Sequence, residues 1–286
     1  MTSHDDFYRA VLEAPEDDVP RLVFADWLDE HGETDRADFI RVQIELQQLD
    51  ETAPRHRELK KRERSLIRKY KHDWLGKLPT GLQFNGFRRG FPTVRTFALA
   101  QNYLKKAKRW HELAPLSHHL HVQIGAAEPD LLASVMATSL LTRVVDLNFY
   151  GSNVGDAGAE LIGACRSLRH LPRLCLAGNR LGPAGVGHLI AKTYLNELVE
   201  LELSFNPWIG DEGAVALAQA TTLSRLRVLN LFSAGIGDEG GRALAEATGL
   251  AGLRKLVLTM NAIGPDVRRL LVDRFGTGVF LHSQSR

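Results

Sequence analysis

LVELELSFNPWIGDEG, residues 198–213, alternates leucine with polar residues. It then passes through Asn206, Ile209 and Gly210 into an acidic, glycine-flanked run. The pattern recurs in VVDLNFYGSNVGDAG (144–158), LPRLCLAGNRLGPAG (171–185), LRVLNLFSAGIGDEG (226–240) and LRKLVLTMNAIGPDV (253–267). All five fit the frame L-x-x-L-x-L-x-x-N-x-ϕ-G, where ϕ is aliphatic, and the third copy has one extra residue. The closing glycines, Gly155, Gly182, Gly210, Gly237 and Gly264, recur about every 27 residues, the mark of a repeat architecture.

Each part of the frame has a physical task. The L-x-L alternation is that of a short strand, with leucines toward the core and the intervening residues outward. Asn179, Asn206 and Asn261 sit where a side-chain amide can bond backbone groups left over by a turn. Ser152 and Ala234 stand in that column in the first and fourth copies. The glycine lets the chain turn, and GDEGAVALAQA (210–220) reads as a helix with acids in its first turn. Weaker copies extend the series through HLHVQIG (119–125) and TVRTFALAQNYLKKAKRW (93–110), and DVRRLLVDRFGTGVFL (266–281) reads as a closing helix and strand. Roughly seven units result, above the three or so that a stacked array needs. The frame resembles leucine-rich repeats of the ribonuclease-inhibitor-like type over residues 90–275. The resemblance implies an α/β fold: a horseshoe solenoid over 81–286, parallel strands inside and helices outside, closed by a C-terminal cap.

Residues 1–80 read differently. Phe7/Val11 and Tyr8/Leu12 are i,i+4 pairs on a first helix. Asp17 or Asp18 can cap a second helix, Pro20 suits its first turn and Gly32 ends it. On it Val23, Phe24, Trp27 and Leu28 are expected inside, and Asp26, Asp29 and Glu30 outside. Phe39, Val42, Leu46 and Leu49 stripe a third helix; Leu59, Leu66, Ile67, Tyr70 and Trp74 stripe a fourth over 54–75. The acids therefore decorate helices and do not converge, and DEHGETDRADF lacks the ligand spacing of a calcium loop. PRLVFADWLDEHGETDRADFIRVQIEL (20–46) closely resembles the repeat-companion domain of expanded bacterial families. The matching residues are Pro20, Arg21, Leu22, Val23, Ala25, Asp26, Trp27, Leu28, Gly32, Phe39, Ile40, Arg41 and Gln43. The resemblance covers about residues 3–50 and implies a small N-terminal all-α domain, here 1–80, preceding a repeat array. It brings no established activity.

Composition narrows the classes further. No apolar run approaches the roughly 20 residues that span a bilayer, and MTSHDDFYRA is too polar for a secretory signal. Two cysteines, Cys165 and Cys175, make no disulfide framework and suggest a reducing, cytoplasmic setting. The net charge of +2 conceals two blocks: residues 1–51 carry 15 acidic and 4 basic side chains, and residues 52–111 carry 17 basic and 3 acidic.

No nucleophile elbow, zinc-protease helix or phosphate-binding glycine loop is present, so neither a catalytic residue nor a cofactor is expected. His119 and His121 share one strand face, but a metal would need further ligands from neighbours such as Asp146, and the pair is read as recognition surface. The outward strand positions supply the candidate partner-binding face: His119, His121, Asp146, Asn148, Tyr150, Arg173, Glu200, Glu202, Asn230, Phe232 and Lys255, with Trp208 at the insertion. Lys60, Lys61, Arg64, Arg68, Lys105, Lys108 and Arg109 are candidate phosphate contacts. The expected function is a non-catalytic scaffold, an adaptor or an inhibitor, binding a protein on the concave strand face. Nucleic-acid association through 55–71 and 105–109 is the alternative.

Overall fold

A computed structural model describes residues 4–14, 17–76, 78, 80–113, 118–123 and 129–281. The chain forms two compact units, residues 1–96 with 109–118, and residues 97–108 with 119–286.

The first unit contains helices α1 (His4–Glu13), α2 (Val19–Glu30), α3 (Thr34–Gln48) and α4 (Pro54–Leu75). An antiparallel hairpin follows, β1 (Leu82–Arg88) with β2 (Phe91–Leu99). Val11, Phe24, Leu28, Ile40 and Ile44 form its core together with Phe91 of the hairpin. Against the expected all-helical unit of 1–80, the compact unit also takes in the hairpin up to Thr96. The physical reason is that Phe91 completes their apolar core, while the buried Gln43 amide accepts from Gly90 N at 2.7 Å. Gly90 has no room for a side chain, since a Cβ there would lie 2.8 Å from the Ile40 backbone. On α2 the buried positions are Arg21, Phe24, Ala25 and Leu28, and Val23 is exposed, contrary to its expected place inside.

The polar residues of the 20–46 stretch have structural tasks. Arg41 donates to both Asp26 and Asp29 at 2.6 Å, tying α3 to α2. Arg21 donates to the Asp17 carbonyl at 2.6 Å and lies over the Phe91 ring. Gln43 also donates to Glu63 at 2.8 Å and so links α3 to α4. Gly32, at φ +83°, ends α2 as a left-handed residue that glycine adopts without strain.

The second unit is mixed α/β. It contains most of helix α5 (Ala100–Leu113), strand β3 (His118–Gln123) and helix α6 (Pro129–Met136). Next come β4 (Val144–Asn148), β5 (Arg173–Cys175), β6 (Glu200–Glu202), β7 (Val228–Asn230), β8 (Lys255–Val257) and β9 (Val279–Phe280), all parallel and in sequence order. Between them run α7 (Gly155–Gly163), α8 (Pro183–Ile190), α9 (Gly210–Gln219), α10 (Asp238–Glu246) and α11 (Pro265–Phe275). Leu147, Leu174, Leu201, Leu229 and Leu256 align across the sheet as one buried ladder, and Leu176, Leu203, Leu231 and Leu258 are buried two residues on.

Two kinds of polar clasp join consecutive repeats. In the first, the asparagine of one repeat reaches back to its predecessor. Asn179 accepts from Ser152 N and Val154 N, Asn206 from Asn179 N and Leu181 N, and Asn261 from Ala234 N and Ile236 N, all between 2.8 and 3.1 Å. In the second, the aspartate opening one helix reaches forward to the next glycine turn: Asp156 to Gly182 N, Asp211 to Gly237 N and Asp238 to Gly264 N, at 2.6–2.7 Å. Ala234 removes the asparagine clasp between the third and fourth repeats, and Pro183 occupies the aspartate position of the second repeat. The insertion in the third repeat leaves its own mark: a Cβ on Gly235, at φ +75°, would lie 2.1 Å from the Pro207 carbonyl oxygen. Only glycine fits there.

Candidate functional site

The strand positions expected to form a binding face divide into two sets. Asn148 Oδ1 accepts from Tyr150 N at 2.8 Å, Glu202 Oε1 from Ser204 N at 2.8 Å and Asn230 Oδ1 from Phe232 N at 3.0 Å. Asn230 Nδ2 also donates to Glu202 at 2.6 Å. These three side chains close the turns that follow their own strands. Asp146, Arg173, Glu200 and Lys255 remain at the surface or half-buried; Arg173 and Glu200 pair at 3.5 Å, and Lys255 lies over the Phe280 ring. The side chains of His119, His121 and Arg109 lie outside the described residues.

The apolar members gather where the strands end. Tyr150 is 53% exposed and Trp208 61%, and the half-buried Phe232 packs its ring 5.0 Å from that of Phe205. Two residues that sequence reasoning missed belong with them, Phe205 at 51% and Met260 at 68% exposure. Both occupy the column just before the asparagine, which in the five repeats holds Gly151, Gly178, Phe205, Ser233 and Met260. Every one of the five has a left-handed backbone, φ between +51° and +65°. Glycine takes this conformation without strain, whereas a bulky residue there costs on the order of 1 kcal/mol. The signal was available in the sequence: two large apolar residues in a column where two copies hold glycine. It was overlooked because only the outward strand positions were read as surface.

Consecutive turns are hydrogen-bonded along this column, Phe205 N to Phe232 O at 2.8 Å and Ser233 N to Thr259 O at 3.0 Å. The column is thus a continuation of the sheet, and Phe205, Phe232 and Met260 stand on neighbouring rungs. Glu200 and Lys255 open the strands that lead to Phe205 and Met260.

Cys175 stands among the outward strand residues. Burial, with the Glu202, Asp146 and Glu200 carboxylates nearby, pushes its thiol up to about 11. Because burial disfavours the charged form, the thiol is the species held at neutral pH, and only about one molecule in a thousand is thiolate at pH 8. In a Cys165→Ser variant, reaction with an aromatic disulfide reagent should therefore be slow at pH 8 and accelerate about tenfold per pH unit until near pH 11. Rapid labelling at pH 8 would restore Cys175 as a nucleophile. Cys165 is buried and donates to the Met136 carbonyl at 3.1 Å, as a small core residue does.

The seven candidate phosphate contacts are distributed over two helices. Lys60 pairs with Glu63 at 2.9 Å, which takes it out of the set, while Lys61, Arg64 and Arg68 are exposed on α4. Lys105 and Lys108 are exposed on α5, within the second unit. Among the described residues, no helix is long and apolar enough to cross a membrane.

With this geometry in place, comparison with known proteins adds one finding. The leucine-rich repeat family model matches residues 195–218 and 223–245. These two segments contain β6 with all but the last residue of α9, and β7 with all but the last residue of α10, that is, the strand and helix of the third and fourth repeats. Residues 195–245 therefore carry leucine-rich repeats, a class that commonly mediates protein–protein interaction and is generally non-catalytic. No curated protein matches the sequence.

Proposed function

We propose that the protein is a non-catalytic scaffold, an adaptor or an inhibitor, and that its second unit is a horseshoe-type leucine-rich-repeat solenoid holding a protein partner. The partner is proposed to seat along the C-terminal ends of the parallel strands, on Tyr150, Phe205, Trp208, Phe232 and Met260, with Asp146, Arg173, Glu200 and Lys255 selecting for charge. The site extends from the concave strand face onto the turns beside it. The N-terminal helices are proposed to be a repeat-companion domain, and the setting is proposed to be the bacterial cytoplasm.

One observation carries the reading. Phe205 and Met260 keep bulky apolar side chains exposed on a left-handed backbone that two other repeats give to glycine. Neither the backbone nor the solvent favours that arrangement, so a binding role is the economical explanation. Aromatic anchors ringed by charge are also what protein interfaces use as hot spots.

The test is affinity capture from nuclease-treated lysate. The unaltered chain should retain a discrete protein partner, and a Tyr150→Ala, Phe205→Gly, Phe232→Ala variant should lose it. The variant's thermal melt shows whether the fold survives; Phe205→Gly itself relieves a strained backbone, which favours survival. Equal capture by a folded variant would move the site elsewhere.

A further inference from the structure

We propose that the first unit carries a separate binding site for the phosphate backbone of a nucleic acid, formed on α4 by Arg57, Lys61, Arg64 and Arg68. These residues follow an i, i+4, i+7, i+11 spacing, which places them on one face of the 22-residue helix. All four are exposed. Among the described residues none of them forms an ion pair with a carboxylate, although residues 1–51 hold 15 acids.

The acids of α3 that pair with α4 take its other cations. Glu45 pairs with Arg55 at 2.8 Å, Asp38 with Arg62 at 2.6 Å and Asp35 with Lys69 at 3.1 Å. Tyr70 reinforces the last contact, donating to Asp35 at 2.5 Å. The Tyr70 hydroxyl and the Lys69 ammonium hold the Asp35 carboxyl below the usual carboxylate range, so it stays ionised. The acidic block thus neutralises the flanks of α4 and leaves this stripe positive. The selectivity of that pairing separates a binding surface from a merely basic helix.

The stripe's chemistry favours a phosphate backbone. From Arg57 to Arg68 it runs about 16 Å, close to the rise of five nucleotides on one strand. Between residues 57 and 68 the apolar side chains Leu59 and Leu66 are buried and Ile67 is half-buried, so the face offers no apolar anchor. A membrane-surface helix or a protein hot spot would require one. The stripe holds only Arg and Lys, with no Asn, Gln or apolar side chain beside them to build a base pattern, so the contact proposed is with phosphates and is sequence-independent. The inference does not depend on the repeat surface.

The experiment is fluorescence anisotropy of a labelled 20-base-pair duplex of arbitrary sequence with the full chain, in 50–200 mM salt. Four engaged cations should give a slope of log K against log salt of about −3 to −4, a loss of roughly a hundredfold over that range. Lys61→Gln/Arg64→Gln/Arg68→Gln should flatten the slope to about −1 with an unchanged melting temperature, since the changes lie on an exposed helix face. Arg55→Gln, at a paired flank position, should alter the slope by less. Absence of binding at 50 mM salt, a flat salt response, or a slope untouched by the triple variant would overturn the proposal. Tighter binding to anionic lipid vesicles or to polyglutamate than to the duplex would overturn it as well.

Discussion

Asn206→Ala is expected to lower the stability of the repeat unit by about 4 kcal/mol, measured by denaturant melting. The amide is fully buried and makes five hydrogen bonds. Its oxygen accepts from Asn179 N and Leu181 N, and its nitrogen donates to the carbonyls of Leu176, Leu203 and Ser204. Truncation strands two buried N–H groups and deprives the carbonyls of their donor, at about 1–3 kcal/mol for each group left unsatisfied. Relaxation and the second lone pair of each carbonyl keep the total below the simple sum. Asn206→Asp should be no milder, because it loses the donors and buries a charge. Asn179→Ala and Asn261→Ala should cost less, since an aspartate clasp also spans each of those boundaries, from Asp156 and from Asp238. Equal costs at all three positions would mean that the two kinds of clasp do not share the work.

Leu229→Ala should cost about 2–5 kcal/mol by the same assay, the range for truncating a buried leucine. Leu229 is fully buried and stands in register with Leu201 on one side and Leu256 on the other. Because each repeat packs only against its neighbours, a cavity here loosens two interfaces at once. Val228→Ala, one residue earlier and on the half-exposed side, serves as the control and should cost well under 1.5 kcal/mol. A loss below about 1 kcal/mol at Leu229 would contradict the inward placement of that ladder.

Much of the second unit was legible because a strict period leaves little choice. With leucine at every second strand position, a one-residue slip would turn the whole ladder to solvent, so the alternation alone determines which side chains are inside. The asparagine column was likewise readable as turn chemistry. Three things were less accessible. The aspartates of the glycine-acid motif looked like helix-dipole partners, and their bond to the following repeat depends on a neighbour about 26 residues away. The strand that begins the 93–110 stretch read as an early copy of the repeat, whereas Phe91 just before it fills a core made of helices and Gly90 bonds Gln43 of α3. The site was half-legible: Tyr150, Trp208 and Phe232 stood out as aromatics, whereas Phe205 and Met260 required backbone angles. Likewise, the charge of α4 was plain, but which cations were already paired depended on the packing of α3 against it.

The distribution of clasps has a mechanical consequence. The first and second repeats are joined by both kinds, as are the fourth and fifth. The third is joined to the second through Asn206 and to the fourth through Asp211, one kind on each side. Pulled from its ends, such an array would first part on one side or the other of the third repeat. That repeat also displays Phe205 and Trp208. A molecule gripping those side chains would therefore act as a splint across the seams that the chain itself fastens least.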